Sequence, residues 1–497
     1  MRKGTDSSGL GSLGRAALTA ASMLVVTLLS AVVGIVIARE FGRSDETDGF
    51  FASYGVFVVL VLAAQAIRIA VIPTLARARD ERRLASELAG LSTAIAVVAV
   101  PLVLVAELAA GPIGDLLTGG GSDVARDTAA EALRWMLPAA AAHLFAGVAA
   151  SGLAAFDDYA TAAFGYAAGS AAALALILTR VEPDGIVAIA WGMALNGTIA
   201  LLVPAVGLAW RAYRTSMPAG AIRPTGPPLV GRLGTFAGAA ALPIALQLLY
   251  VACLPFAGRL GTGAVTSFGY AYLGSSALVM ITASSLGLVS SAPLTRAGIG
   301  AQQAARHVVS ASWLALVFVG GAAGVFALAG ADLVEGVLGA AYGGDVGAEV
   351  GELVVALSPW MVASVGVTIA FPLAFVAGRS RALPWIGIAA LVLQVPLAWV
   401  GGSALDLTGL ALVLAAATFV VLAALLGQLG ALGLTVRGLG VAAATLGAVA
   451  LVAFLPPARF LGPIAGAVVG LALYAGIVVA WRPRQLRAAW SYLRSLG

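Results

Sequence analysis

The sequence predicts an all-α, polytopic membrane protein, and three observations predict it. Of its 497 residues, 61% are hydrophobic and 10% charged, far less charge than a water-soluble chain carries. The charges gather between long apolar stretches. The basic residues crowd into every second gap, as they do where loops alternate between the two sides of a bilayer. A helix needs about 20 apolar residues to cross the hydrocarbon core. Each span must be helical, because lipid offers no partner to free backbone N–H and C=O groups.

About fourteen stretches meet that requirement, near 15–38, 50–75, 89–110, 128–155, 160–179, 185–210, 232–256, 265–290, 307–330, 352–377, 382–401, 407–433, 438–456 and 460–481. The first two are the sharpest, Ala16 to Ala38 and Phe50 to Leu75. Abundant Gly and Ala suit close helix–helix approach. With the N-terminus inside and the spans alternating, 20 of the 28 basic residues fall inside, including Arg77, Arg79, Arg82, Arg83, Arg211, Arg214, Arg232 and the tail from Arg482 to Arg494. Both termini are therefore expected in the cytoplasm, in a bacterial plasma membrane. The net charge of +5 then faces anionic headgroups rather than nucleic acid. The tail from Trp481 to Arg494 mixes aromatics with Arg; it reads as an interfacial helix or as a plain topology anchor. The segments 111–127 and 331–351 read as the largest outer loops, and no span-free segment is long enough for a separate catalytic domain.

Enzyme chemistry finds no foothold. The single cysteine, Cys253, excludes an intramolecular disulfide and argues against a cysteine metal site. With two histidines in all, His143 and His307, a histidine-rich metal site is excluded. HExxH and Walker A patterns are absent, and no cofactor is expected.

The chain repeats itself. Ala38-Arg-Glu-Phe-Gly-Arg-Ser-Asp-Glu-Thr-Asp-Gly-Phe-Phe-Ala-Ser-Tyr54 parallels Gly258-Arg-Leu-Gly-Thr-Gly-Ala-Val-Thr-Ser-Phe-Gly-Tyr-Ala-Tyr272. Each has a basic residue, a Gly turn, a polar loop and an aromatic-rich helix start. Pro73 and Pro293, near the ends of the helices so opened, are 220 residues apart. The pattern implies a parallel repeat of six-span units, giving an N-lobe at 1–230, a C-lobe at 231–436 and a C-terminal helix pair with its tail at 437–497. Two such bundles around a central cavity are suited to alternating access.

These motifs carry a family resemblance. Ile37-Ala-Arg-Glu-Phe-Gly-Arg-Ser-Asp-Glu-Thr-Asp-Gly-Phe-Phe51 resembles the first-loop signature of the MviN/MurJ family. Val71 to Leu75, Ser151 to Phe156 and Leu260 to Ala271 are similar to further stretches of it. The resemblance implies fourteen helices and flipping of an undecaprenyl-pyrophosphate-linked sugar, lipid II, across the membrane. The partners implied are that lipid-linked glycan, membrane lipids and cell-wall synthesis proteins, with a monomer expected. The wider superfamily holds polysaccharide flippases and multidrug exporters. The family's cavity arginines do not carry over. Val33-Gly34 stand where an Arg-Asp pair is usual, Val58 to Ala64 where an Arg-Arg pair is usual, and Tyr272-Leu273 where helix eight has an Arg. A flippase for another lipid-linked oligosaccharide is therefore the first alternative, then a multidrug antiporter, then a membrane scaffold that transports nothing.

A pyrophosphate head crossing the membrane needs cations to meet it. Arg68, in span two with Gln65 on the same face, is the leading candidate; the opposed reading is that it snorkels to the interface. Arg134 has Glu131 three residues before it, so a structural ion pair competes with ligand contact. His143 is a helix–helix hydrogen bond or a titrating group. Gln247, Tyr250 and Tyr270 suit a sugar or phosphate, or glue between helices. Arg39 and Arg259 take matching places at the outer mouth, and Asp48 is the acid of the loop signature. An antiporter would need buried carboxylates, whereas Glu107, Glu131 and Glu352 lie near outer span ends.

Overall fold

The computed structural model describes residues 8–214, 227–284, 300–481 and 484–494. Among the described residues every regular element is helical. The chain divides into two compact units. The first holds α1 (Ser8–Phe41), α2 (Asp45–Asp80) from Gly49 onward, α3 (Leu84–Thr118) to Leu117, α4 (Asp123–Ala154), α5 (Tyr159–Asp184), α6 (Val187–Arg214) and α7 (Leu229–Val251) as far as Gln247. The second takes the turn Gly42–Asp48, the turn Thr118–Gly121 and everything from Leu248. Its helices are α8 (Leu254–Gly258), α9 (Ala264–Val279), α10 (Ala301–Leu338), α11 (Asp345–Ala356), α12 (Ser358–Val376), α13 (Leu383–Gln428), α14 (Leu432–Phe460), α15 (Pro463–Trp481) and α16 (Arg484–Arg494).

This is a multi-pass membrane protein. Eleven helices among the described residues are long and apolar enough to cross a bilayer, or twelve if α11 and α12, bent by 43°, make one broken span. The 46 residues of α13 would run about 69 Å as one helix, twice the hydrocarbon core. Its backbone breaks at Leu405 (φ −141°) and Asp406 (φ +50°). Beyond the break, Gly409 lies so close to the carbonyl of Gly401 that any Cβ would overlap it. The element is thus a hairpin, its arms on the predicted stretches 382–401 and 407–433, the second ending at Gln428. Predicted stretch 15–38 falls on α1, and 265–290 is helical to Ser284, its remainder lying outside the described residues.

The two segments expected as large outer loops, 111–127 and 331–351, are largely helical. Helix α3 runs on to Thr118 and α10 to Leu338, each through a kink. In α3, Pro112 has no N–H for the carbonyl four residues back, so the helix resets just before it. A shift of 220 residues carries Ala109 (φ −124°, ψ 20°) onto Ala329 (φ −121°, ψ 18°), and Thr118 onto Leu338. The same kink at the same spacing is what a parallel repeat requires. Pro293 lies outside the described residues.

Small residues set the packing in both units. In the first, Ala63, Ala64, Ile67 and Val71 of α2 bury against Leu91, Ala94 and Ile95 of α3, Leu144 and Val148 of α4, and Phe236 and Ala240 of α7. A Cβ on Gly49 would stand 2.2 Å from the Ala125 carbonyl oxygen, so α2 and α4 meet backbone to backbone there. In the second, α10 packs against α11, α12, α14, α15 and α16.

Candidate functional site

Within the first unit, Arg68 is the cation placed deepest in an apolar helix. It is half-buried in α2, and its guanidinium carbon lies 5.8 Å from the ring centre of Tyr166 on α5. Ser151 of α4 donates to the Gly147 carbonyl (2.7 Å) and to the Arg68 carbonyl (3.3 Å). Gly147 leaves room for that approach, because its missing Cβ would lie 3.2 Å from the Ala64 carbonyl oxygen. Among the described residues no carboxylate forms an ion pair with Arg68, so its charge is met by an aromatic side chain. Gln65 is exposed, one turn earlier.

His143 is buried, and its Nδ1 lies 2.9 Å from the Ala139 carbonyl oxygen. A carbonyl only accepts, so Nδ1 carries the proton. The ring meets Phe57 edge-on at 6.0 Å. Arg134 is exposed and paired with Glu131 at 3.5 Å. Gln247 is buried at the limit of this unit, and Arg39 is exposed near the end of α1.

Within the second unit the loop signature becomes a clamp. Ser44 and Thr47 cap the start of α2 reciprocally: the Ser44 N–H donates to Thr47 Oγ1 (2.8 Å) and the Thr47 N–H to Ser44 Oγ (3.3 Å). This fixes the buried Asp48, which accepts from the Gly263 N–H (2.6 Å), the Thr266 N–H (2.8 Å) and the Thr266 hydroxyl (2.6 Å). The carboxylate therefore caps α9 from another part of the chain and meets the positive end of its dipole. Thr262 donates to Asp45 (2.8 Å), and Arg43 pairs with Glu349 (3.0 Å). Tyr342 donates to the Gly42 carbonyl (3.0 Å) and packs edge-on against Tyr270 (5.5 Å). Burial pushes the Tyr342 phenol well above its ordinary range.

Tyr250 belongs to a stacked column instead. Its ring lies 3.9 Å from that of Tyr272 and 5.7 Å from that of Phe268, and Tyr272 leans on Trp360 at 4.9 Å. Arg259 is exposed, with Nε donating to the Gly119 carbonyl (3.3 Å) and its guanidinium over Phe256. Asp48 thus lies on the turn Gly42–Asp48, which Tyr270 approaches through Tyr342, while Tyr250 and Arg259 stand in separate settings.

Three polar clusters join residues whose pairings the sequence does not show. Glu87 and Arg232 form a buried ion pair at 2.6 Å. Arg211 grips Asp158 through Nε (3.0 Å) and a terminal nitrogen (2.9 Å), while Thr161 donates to the same carboxylate. Burial works to raise the Asp158 pKa, but the bonds from Thr161 and Arg211 together outweigh it and hold it below the usual range. Gln394, fully buried, donates to the Leu249 carbonyl (3.3 Å) and lies 3.0 Å from the Cys253 sulfur. Because the Cys253 N–H has turned to the Tyr250 carbonyl as α7 ends, the Leu249 carbonyl takes the Gln394 amide and, at 3.4 Å, the Cys253 thiol instead. Among the described residues the Gln394 Oε1 meets no donor. Gln394→Leu therefore removes two weak contacts, to the Leu249 carbonyl and the Cys253 sulfur, together with one buried, unsatisfied oxygen. Its thermal midpoint in detergent should show a change within about 1 kcal/mol, whereas Gln394→Glu should be strongly destabilised.

No protein-family model and no curated protein matches the chain. Solved structures do. The lipid II flippase MurJ in an inward closed conformation aligns with a TM-score of 0.70 at 14% identity, covering 94% of this chain and 99% of that one. An inward-facing multidrug resistance MATE family transporter of the MOP superfamily aligns at 0.64 and 14% identity, covering 84% and 96%. The eukaryotic MATE transporter AtDTX14 aligns at 0.59 and 17% identity, covering 88% and 99%. The chain has the fold that these transporters share.

Proposed function

We propose that the protein is a flippase of this fold, moving an undecaprenyl-pyrophosphate-linked sugar between the leaflets of a bacterial plasma membrane. The observation that carries the reading is Arg68, a cation inside a membrane-spanning helix that no carboxylate among the described residues neutralises. Such a group is costly to keep and marks a path for anions. The polyprenyl tail stays in lipid while the anionic head crosses past guanidinium and phenol groups. The likeness to MurJ over nearly the whole chain supports the same reading. Transport of a different lipid-linked oligosaccharide is the second reading, favoured by the apolar residues Val33, Gly34 and Val58 to Ala64 where the resembling family carries charge.

The test is rescue of cells depleted of their own lipid II flippase. Expression of the wild-type chain should restore growth, Arg68→Ala should not, and Arg68→Lys should restore it in part. Full rescue by Arg68→Ala removes that residue from the mechanism. No rescue by a wild-type chain that reaches the membrane rejects lipid II in favour of another glycan.

A further inference from the structure

The C-terminal helix α16 uses two faces, and only one of them is covered. Ala489 and Tyr492 are buried where α16 docks on α10. The Tyr492 ring lies 5.9 Å from that of His307, and the exposed Arg306 lays its guanidinium over it at 5.0 Å. Burial raises the Tyr492 phenol above its ordinary value. Away from α10, Arg487, Ala488, Trp490 and Ser491 are exposed, and Leu486 is half-buried beside Trp490. At 100° per residue, positions 486 and 490 form an apolar arc next to α10, and positions 484, 487, 491 and 494 form the arc beyond it.

Two features identify what covers that outer face. The first is charge. From Leu407 to Gly497 the sequence contains no Asp or Glu; Arg459 belongs to the far end of α14, and Arg437, Arg482, Arg484, Arg487 and Arg494 remain for the α16 end. Arg437 is exposed, and its neighbour Gly438 packs against Val309, which brings it level with the first turns of α10 near Arg306. A surface of one sign takes a partner of the other. The second is depth. Helix α15 is apolar from Pro463 to Trp481, and Trp481 is exposed at its end. Tryptophan at a span end marks headgroup level, and α16 starts only three residues later. At that depth the outer face meets lipid headgroups, and it sets Trp490 and Leu486 beside Arg487. A helix lying in the headgroup layer needs both.

We propose that α16 is a docking surface for anionic phospholipid headgroups, with Trp490 and Leu486 seated at the acyl boundary, Arg487 on the phosphates, and Tyr492 fastening the helix to α10. Lipid held there is thereby joined to the helix that anchors most of the second unit.

The test labels Ser491→Cys with a fluorophore in a Cys253→Ala background, using the full chain in nanodiscs. Phosphatidylglycerol and phosphatidylcholine carrying a headgroup-level nitroxide are compared as quenchers at equal mole fraction. Phosphatidylglycerol should quench more strongly at low salt, and Arg487→Ser should lower the local enrichment about fivefold, the factor expected for one arginine at an anionic surface. High salt should weaken the preference. Equal quenching by the two lipids in the unsubstituted helix overturns the proposal, whatever the variant does. So does strong quenching by aqueous iodide with none by lipid, which would point to an acidic protein partner.

Discussion

Replacing Glu87 by Ala should cost about 3–5 kcal/mol of stability, the range for removing one partner of a buried ion pair. Glu87 and Arg232 are both buried, and their 2.6 Å contact joins the first turn of α3 to the first turn of α7. The placement is lopsided. Glu87 sits where a helix N-terminus favours an anion, but Arg232 sits where the α7 dipole opposes a cation. Only Glu87, with the Pro227 carbonyl 3.1 Å from Arg232 Nε, makes that position tolerable. The guanidinium also has no room to leave: it lies over Gly90, where a Cβ would come within 2.7 Å of its carbon. Glu87→Ala therefore strands a charge that can neither reach water nor find another acid, since Arg83, 3.7 Å from the Glu87 carboxylate, only adds positive charge. The thermal midpoint in detergent measures this. A double variant, Glu87→Leu with Arg232→Leu, should recover most of the loss, because an apolar pair avoids desolvation altogether. A Glu87→Ala midpoint within about 0.5 kcal/mol of wild type, the scatter for unremarkable surface changes, would mean that water reaches Arg232.

The contrast between what the sequence showed and what it hid has a physical cause. Spans were legible because hydropathy accumulates over some twenty residues, so no single side chain decides them. The ion pair of Arg134 with Glu131 was legible because a helix brings residues three apart together. The kink at Ala329 was not, since alanine itself favours helix and no proline follows it, whereas the kink at Ala109 has its local sign in Pro112. The long-range polar contacts were hidden for a simpler reason. Glu87 meets a partner 145 residues away, Asp48 partners 215 and 218 away, and Gln394 a partner 141 away. Nothing local distinguishes Glu87 from the rim charges beside it, and Arg232 read only as one more basic residue on the inner side. Arg68 stood out because its neighbours in sequence are apolar, but its aromatic partner, Tyr166, lies on another helix.

Asp48→Ala should be the second severe change, and its effect should concentrate on α9. The carboxylate accepts three hydrogen bonds of 2.6 to 2.8 Å. Both donating residues, Gly263 and Thr266, are buried, so water cannot replace it. Bonds to a charged acceptor contribute about 1.5–3 kcal/mol each, and buried donors left empty are penalised further. The expected loss is about 3–5 kcal/mol, short of the full sum because the three bonds form as a unit. Asp48→Asn should fall between, keeping one acceptor oxygen but surrendering the charge that answers the α9 dipole. The turn cannot adjust to compensate. Gly263 holds φ at +83°, and a Cβ there would run into the side chain of Arg43, itself tied to Glu349. Amide hydrogen exchange separates a local failure from a global one. In Asp48→Ala, protection at 263–268 should collapse well before that of α4. If those amides stay protected, another group caps α9, and the loop signature that first set this chain apart serves something other than capping that helix.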